Sequence, residues 1–422
     1  MQSKSKWFIR GLYLVVFALL VATFFDSTYR WNNFENYSEN LVSGRVFAEI
    51  NGFPIDSTFG LGRLTVEDSP CDNDYSAYYQ YPDHYGITDR EKIQKATENF
   101  SEYSSQIGLQ GHLFGFAARI LKHPKTWLIF RIANISALII ILMLISGQLA
   151  KRYGTLMGMC FLGVSVLSPW VRSFAPNLYW VEFTWFVPML LGILCLNMPK
   201  QKLLWYVLFF LSILIKCLCG FEYLSTILVG AVLFPAAEWI CYKDRRKKLF
   251  RVILTLGLLS VVAFLVVYIF TAMTKNPNLS IGEAITCFYS TNVARRLQGN
   301  DPNDIATTIS PLKVVVLYFW ENLSGKAMLL LTACTGLMFF LQKKFFGEIN
   351  LFQLALFLLS LCGTLSWFVL AKQHSYIHLH LNFVLWFIGT AQIETYIIAD
   401  GLWSHRDLFI AKDTTPKDNA YE

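Results

Sequence analysis

Long apolar runs separated by short polar segments dominate the chain. An apolar run of about 20 residues can cross a bilayer as a helix. The pattern predicts about ten such helices, at residues 8–25, 126–150, 154–170, 180–198, 203–220, 222–241, 250–272, 326–342, 351–371 and 381–399. We therefore expect an all-α polytopic membrane protein, with residues 1–422 forming a single transmembrane domain.

Composition agrees with this expectation and excludes a soluble domain. The chain is 55% hydrophobic and 15% charged, whereas soluble domains carry about 25% charged residues. The net charge of +7 comes mostly from short basic clusters between apolar runs. Such clusters indicate membrane topology and contact with lipids, and we expect no nucleic-acid partner.

The basic clusters also predict the orientation of the chain. Lys4, Lys6 and Arg10 precede the first apolar run, which has no small-residue cleavage site and is expected to remain as a helix. The positive-inside rule then places the N-terminus in the cytoplasm. An even number of crossings returns the later basic clusters to that side, together with a cytoplasmic C-terminal tail at 400–422.

The opposite side receives the long loops. The first external loop spans 26–125 and is too long to be a simple connection. Within it, residues 106–122 have one apolar and one polar face, which predicts an interfacial helix. The second external loop spans 274–325. A shorter aromatic-rich loop, Trp170–Trp185, predicts either a floor for sugar rings or an interface belt.

Motifs follow the first helix in a recognisable order. Glu39-Asn40 is followed by LVSGRVFAEI and Asn51-Gly-Phe-Pro54, and later Gln106-Ile-Gly-Leu-Gln-Gly111 leads through HLFGFAARIL to Arg131. This order resembles the GT-C glycosyltransferases, in particular the branch with protein O-mannosyltransferases and the aminoarabinose transferase of lipid A. The resemblance covers residues 1–235 and continues only by topology. The chain has Glu39-Asn40 where the family has an Asp-Glu pair, and it lacks the family's His-Pro-Pro motif.

The resemblance implies a GT-C-like fold and an enzyme of the bacterial inner membrane. Such an enzyme would move a sugar from a polyprenyl-phosphate donor to a cell-envelope glycan, lipid or protein on the external face. That reaction needs a carboxylate to deprotonate the acceptor or hold a metal. It also needs positive groups that stabilise the leaving phosphate. The sequence names no certain cofactor and leaves a divalent metal open.

Candidate catalytic carboxylates lie in the first external loop. Glu39 is the first choice for the base because it occupies the place of the family's acidic pair. Glu35 lies four residues earlier, on the same face of a helix, and Glu49 lies ten residues later. The alternative interpretation is that these are solvated loop carboxylates.

Candidate ligands for the donor phosphate come from several segments. They are Arg295, Arg296, Lys372, His374, His378 and Lys216. Arginine suits phosphate because its planar fork donates two hydrogen bonds. Lipid headgroups are an alternative partner, and Lys216 is alternatively an ion-pair partner of Glu222. His374 and His378, four residues apart, could also bind a metal.

Two other functions stay open on the sequence alone. A flippase or transporter of lipid-linked oligosaccharides would move the same substrates without chemistry, but it should show repeated halves, and the sequence has no convincing repeat. A family member that has lost activity and keeps a structural role is the other alternative.

Overall fold

The computed structural model describes residues 14–25, 36–64, 91, 94–95, 98–123, 125–299 and 304–404. Within these ranges most residues are helical, and two short strands pair antiparallel, β1 (Gly62–Arg63) with β2 (Ser101–Glu102). The helices are α1 (Leu14–Phe25), α2 (Asn36–Ile50), α3 (Leu109–Leu121), α4 (Thr126–Tyr153), α5 (Thr155–Leu167), α6 (Pro169–Phe174), α7 (Phe183–Asn197), α8 (Lys202–Cys219), α9 (Leu224–Cys241), α10 (Arg246–Lys275), α11 (Ile281–Phe288), α12 (Arg295–Gln298), α13 (Ile305–Thr308), α14 (Pro311–Trp320), α15 (Leu323–Phe346), α16 (Leu351–Leu370), α17 (Lys372–Ile377) and α18 (Thr390–Ser404).

Six helices of the described chain are long and apolar enough to cross a membrane. These six helices correspond to α4, α8, α9, α10, α15 and α16, and each coincides with a predicted span. The all-α membrane class is therefore confirmed, while the count of about ten crossings stays a prediction. Shorter apolar helices α1, α5 and α7 lie at three further predicted spans. The apolar helix α14 lies inside the predicted second external loop, where no span was expected.

The predicted span 381–399 is wrong as one continuous helix. Residues Asn382–Phe387 form a 3₁₀ segment, and α18 begins only at Thr390. Gly389 separates the two with a φ of 118°, a conformation that side-chain-bearing residues avoid. The Gln392 side chain accepts a hydrogen bond from the Gly389 N–H at 3.1 Å and so stabilises the break.

Close helix contacts hold the bundle together. Helix α9 packs along α16 and α7, and α7 also packs against α4 and α8. At Gly192 in α7 the approach is very close, because an added Cβ would lie 2.0 Å from the carbonyl oxygen of Ala231 in α9. Small residues allow such approaches between membrane helices, where van der Waals packing drives association.

One end of the bundle carries the basic loops. Arg152, at the end of α4, donates from Nη2 to Oε2 of Glu238 near the end of α9, at 2.6 Å. The Tyr153 hydroxyl donates to the same carboxylate at 2.8 Å, and Arg152 also reaches Asn197 Oδ1 at the end of α7. Arg152, held by the buried Glu238 carboxylate, thus joins the ends of three helices.

The first loop packs against the opposite end of the bundle and is hydrogen-bonded to it. Helix α2 packs against α3, and the Gly60 N–H donates to the carbonyl of Ile107 at 2.8 Å. Gln110, buried on α3, donates from Nε2 to the carbonyls of Tyr179 and Cys219, both at 2.9 Å. These carbonyls precede α7 and end α8, so α3 ties two interhelical connections to the first loop. The exposed side of α3 carries Leu113, Phe116 and Ile120.

The second loop contains a wide helical turn. Residues Tyr289–Ala294 form a π-helical turn between α11 and α12. Asn292 in this turn is buried, and its Oδ1 accepts a hydrogen bond from Lys275 at 3.4 Å. Helix α12, which carries Arg295 and Arg296, packs against α17.

Substituting Gly192→Ala should separate α7 from α9 and destabilise the protein by about 1–3 kcal/mol, because the added methyl overpacks the contact. Gly163→Ala in α5 is the matched control, since a Cβ added there would meet nothing within 4 Å. The midpoint of unfolding in detergent, titrated with sodium dodecyl sulfate, measures the difference. Equal midpoints for the two variants would contradict the close contact.

Candidate functional site

A cavity of about 620 Å³ lies among the first loop, the connections before α7 and α9, and the segment around α17. Tyr179 and Trp180 line it just before α7, and Glu222 lines it just before α9. The basic loops follow the far ends of these two helices. The cavity is therefore at the opposite end of the bundle from the basic loops.

Glu222 is held in a hydrogen-bonded group that spans four segments. Its Oε1 accepts from the Tyr179 hydroxyl at 3.4 Å and lies 3.5 Å from Arg296 Nη2. Arg296 Nη2 also donates to the Tyr103 hydroxyl at 3.4 Å. Burial, followed by the Glu222 carboxylate, raises the pKa of Tyr179 well above its usual value. The Tyr179 hydroxyl therefore stays protonated and keeps donating to Glu222.

Three histidines from the segment around α17 also line the cavity. The ring centroids of His374 and His378 are 4.7 Å apart, and those of His378 and His380 are 6.3 Å apart. Burial lowers the pKa of His374 well below its usual value, and the positive charge of Arg296 lowers it further. His374 is therefore a neutral imidazole at pH 7, which offers one hydrogen-bond donor and one acceptor.

The short β-ladder contributes a cation and a carboxylate. Arg63 on β1 and Glu102 on β2 both line the cavity. Glu102 Oε2 accepts a hydrogen bond from the Ser57 hydroxyl at 2.6 Å, which fixes one side of its carboxylate. The strands approach closely because Gly62 has no side chain and leaves space for the Phe100 ring. A Cβ added at Gly62 would lie 2.2 Å from that ring.

Glu39, the first-choice base, is buried beside the cavity and not on its lining. It is 2% exposed, and its Oε2 accepts from Arg131 Nη2 at 2.6 Å. Its Oε1 accepts from the backbone N–H of Leu178 at 3.0 Å. The guanidinium of Arg131 also lies over the Trp127 ring, 4.6 Å from its centroid. Both oxygens of Glu39 thus have protein partners, and its neighbour Ser38 lines the cavity.

The other predicted carboxylates have different environments. Glu49 makes two hydrogen bonds with Arg119, at 2.6 and 3.0 Å, which join α2 to α3. Glu49 is not part of the cavity lining. Glu35 lies outside the described residues. Their predicted catalytic roles stay predictions, although the geometry of Glu49 is that of a structural ion pair.

Two of the six predicted phosphate ligands, His374 and His378, line the cavity. Arg296 lies behind this lining, bonded to Glu222 and Tyr103. Lys372 donates to the carbonyl of Thr307. Lys216 is buried and donates to the carbonyl of Gly220 at 2.7 Å, so the predicted direct pair with Glu222 is replaced by a backbone contact. Arg295 is exposed on α12.

Some cavity residues carry no clear signal in the sequence. Arg63 and Glu102 lie in two-residue strands of a long loop, and no periodic pattern marks them. The sequence indicates Glu222 only as a partner of Lys216. The aromatic loop Trp170–Trp185 gives the best signal, because it supplies Tyr179 and Trp180 to the lining. A preformed metal site is not seen in the described part of the chain, where no three His, Cys, Asp or Glu side chains are grouped to hold an ion.

Comparisons with protein-family models, curated proteins and solved structures found no match to the chain.

Arg131→Met should leave the Glu39 carboxylate buried without its cation and cost about 3–5 kcal/mol of stability. The double variant Glu39→Gln with Arg131→Met removes both charges and should recover most of that loss. Unfolding midpoints of the single and double variants measure this coupling. Additive effects of the two substitutions would contradict the buried pair.

Acid should destabilise the protein through His374. Its pKa is lowered by folding, so the unfolded chain binds the proton more tightly and stability falls as the pH drops below about 6.5. His374→Gln removes this proton linkage, and its melting temperature should fall less between pH 7 and pH 5. His123→Gln is the control outside the cavity. An identical pH dependence in parent and His374→Gln would contradict the buried neutral imidazole.

Proposed function

We propose that the protein is a membrane glycosyltransferase that uses a lipid-linked donor. It moves a sugar from a polyprenyl phosphate to a cell-envelope glycan, lipid or protein at the membrane face opposite the basic loops. We assign that face to the outside of a bacterial inner membrane. The cavity beside α2 is the reaction site, and the proposal is consistent with the resemblance of residues 1–235 to GT-C enzymes.

The observation that carries the proposal is the combination of groups in one cavity. Carboxylates are present in Glu102 and Glu222, a guanidinium in Arg63, and imidazoles in the three histidines. Glycosyl transfer from a phosphate needs an acceptor of the nucleophile's proton and donors to the leaving oxygen. The cavity supplies both kinds of group within one space of about 620 Å³.

Each kind of group has a place in the reaction. Arg63 and the neutral His374 donate hydrogen bonds to the phosphate, whose negative charge grows as the glycosidic bond breaks. The rings of Tyr179 and Trp180 offer a surface for the apolar face of the sugar. The Glu39–Arg131 pair supports this site by fixing Leu178, directly before Tyr179.

A transfer assay in proteoliposomes tests the proposal. A panel of tritium-labelled polyprenyl-phosphate hexoses is offered with a detergent extract of cell envelope as acceptor. We expect Arg63→Met to lower the rate of transfer about 100-fold, the scale seen for loss of one transition-state donor. Arg245→Met, an exposed arginine at the other end of the bundle, is the control and should keep parental activity.

Two results would contradict the function. If the parent transfers label from no donor, the cavity is not a glycosyltransferase site of this type. If labelled donor instead crosses the bilayer without transfer, the flippase interpretation replaces it.

A further inference from the structure

A second cavity of about 420 Å³ adjoins the first loop. It is formed by the segment after α2, from Phe53 to Ser57, by Gln94, Glu98 and Phe100 before β2, and by Glu102 on β2. Phe53 and Phe100 supply its aromatic surface.

Glu102 is the one described residue that lines both cavities. Its position on β2 places the residue at the boundary between them. The hydrogen bond from Ser57, a residue of the second cavity, orients this carboxylate at 2.6 Å. Glu102 can therefore contact molecules on both sides at once.

The two cavities differ in charge. The first contains Arg63 and the three histidines, which suit a phosphate. The described lining of the second contains Asp56, Glu98 and Glu102 but no lysine, arginine or histidine. An anionic ligand would be repelled there, whereas carboxylates accept hydrogen bonds from sugar hydroxyls and aromatic rings pack on sugar faces.

We propose that the second cavity binds the acceptor, an uncharged oligosaccharide, and that Glu102 is the catalytic base shared by the two substrates. This inference rests on the proposed function. The acceptor hydroxyl in the second cavity faces the anomeric carbon of the donor sugar in the first. Glu102 lies where the two substrates meet.

The acceptor oxygen forms a bond to the anomeric carbon while the bond from that carbon to the phosphate oxygen breaks. The electron pair of the broken bond leaves with the polyprenyl phosphate. The proton of the acceptor hydroxyl passes to the Glu102 carboxylate, which releases it to solvent after the product departs.

Steady-state kinetics with purified protein separate the two roles. Glu102→Gln should lower kcat by about 10²–10⁴-fold, the usual contribution of a general base, while equilibrium binding of labelled donor is retained. Asp56→Asn should raise the KM for acceptor about tenfold through loss of a charged hydrogen-bond partner and leave the KM for donor unchanged. Glu91→Gln, an exposed glutamate of the same segment, is the matched control and should behave as the parent.

The class of acceptor is tested in the same assay. The envelope extract is separated by anion exchange into neutral and anionic fractions, and label should enter the neutral glycans. Label confined to the anionic fraction, or label released by protease, would overturn the acceptor assignment. If the Glu102→Gln variant transfers label with the kcat of the parent, Glu102 is not the catalytic base, although the protein is still a glycosyltransferase. A parent that transfers nothing removes both the function and this inference.

Discussion

The geometry of the cavity depends on one buried ion pair, Glu39 with Arg131. The pair joins α2 of the first loop to the beginning of α4, and the second oxygen of Glu39 holds the backbone at Leu178. Desolvating two charges is costly, and good geometry with further hydrogen bonds is needed to offset the cost. The Leu178 N–H and the Trp127 ring supply such contacts here. Glu39 thus links a loop, a membrane helix and an interhelical turn.

Other polar contacts extend this frame around the cavity. Gln110 bonds the carbonyls before α7 and at the end of α8, while Glu49 and Arg119 join α2 to α3. These contacts bring together segments that are far apart in sequence. Helix ends leave backbone carbonyls without helical partners, so a buried amide such as Gln110 can satisfy two of them together. The cavity wall is therefore attached to the bundle at several points rather than through a single hinge.

The sequence predicted the long helices well because an apolar run of sufficient length has few alternatives in a bilayer. It failed at 381–399, where the apolar composition continues across Gly389 but the helix does not. It also missed α14, whose ten residues are shorter than a bilayer requires. For the site, the sequence identified carboxylates near a membrane boundary but could not separate Glu39 and Glu49, which are absent from the cavity lining, from Glu102 and Glu222 on it. That distinction depends on tertiary contacts such as Arg131 and Arg119, 92 and 70 residues away in the chain.

The π-helical turn Tyr289–Ala294 has a consequence for how this protein can vary. A π turn accommodates one residue more than an α-helical turn, and it commonly stands at functional positions. Closing the same six residues into regular α geometry would wind the segment further by the equivalent of one residue and would rotate everything beyond it by roughly 100°. Arg296 would then turn away from Glu222 and Tyr103, although every side chain of the cavity remained in the sequence. Related chains should therefore keep this arrangement either with the π turn or with a regular α turn that is one residue shorter.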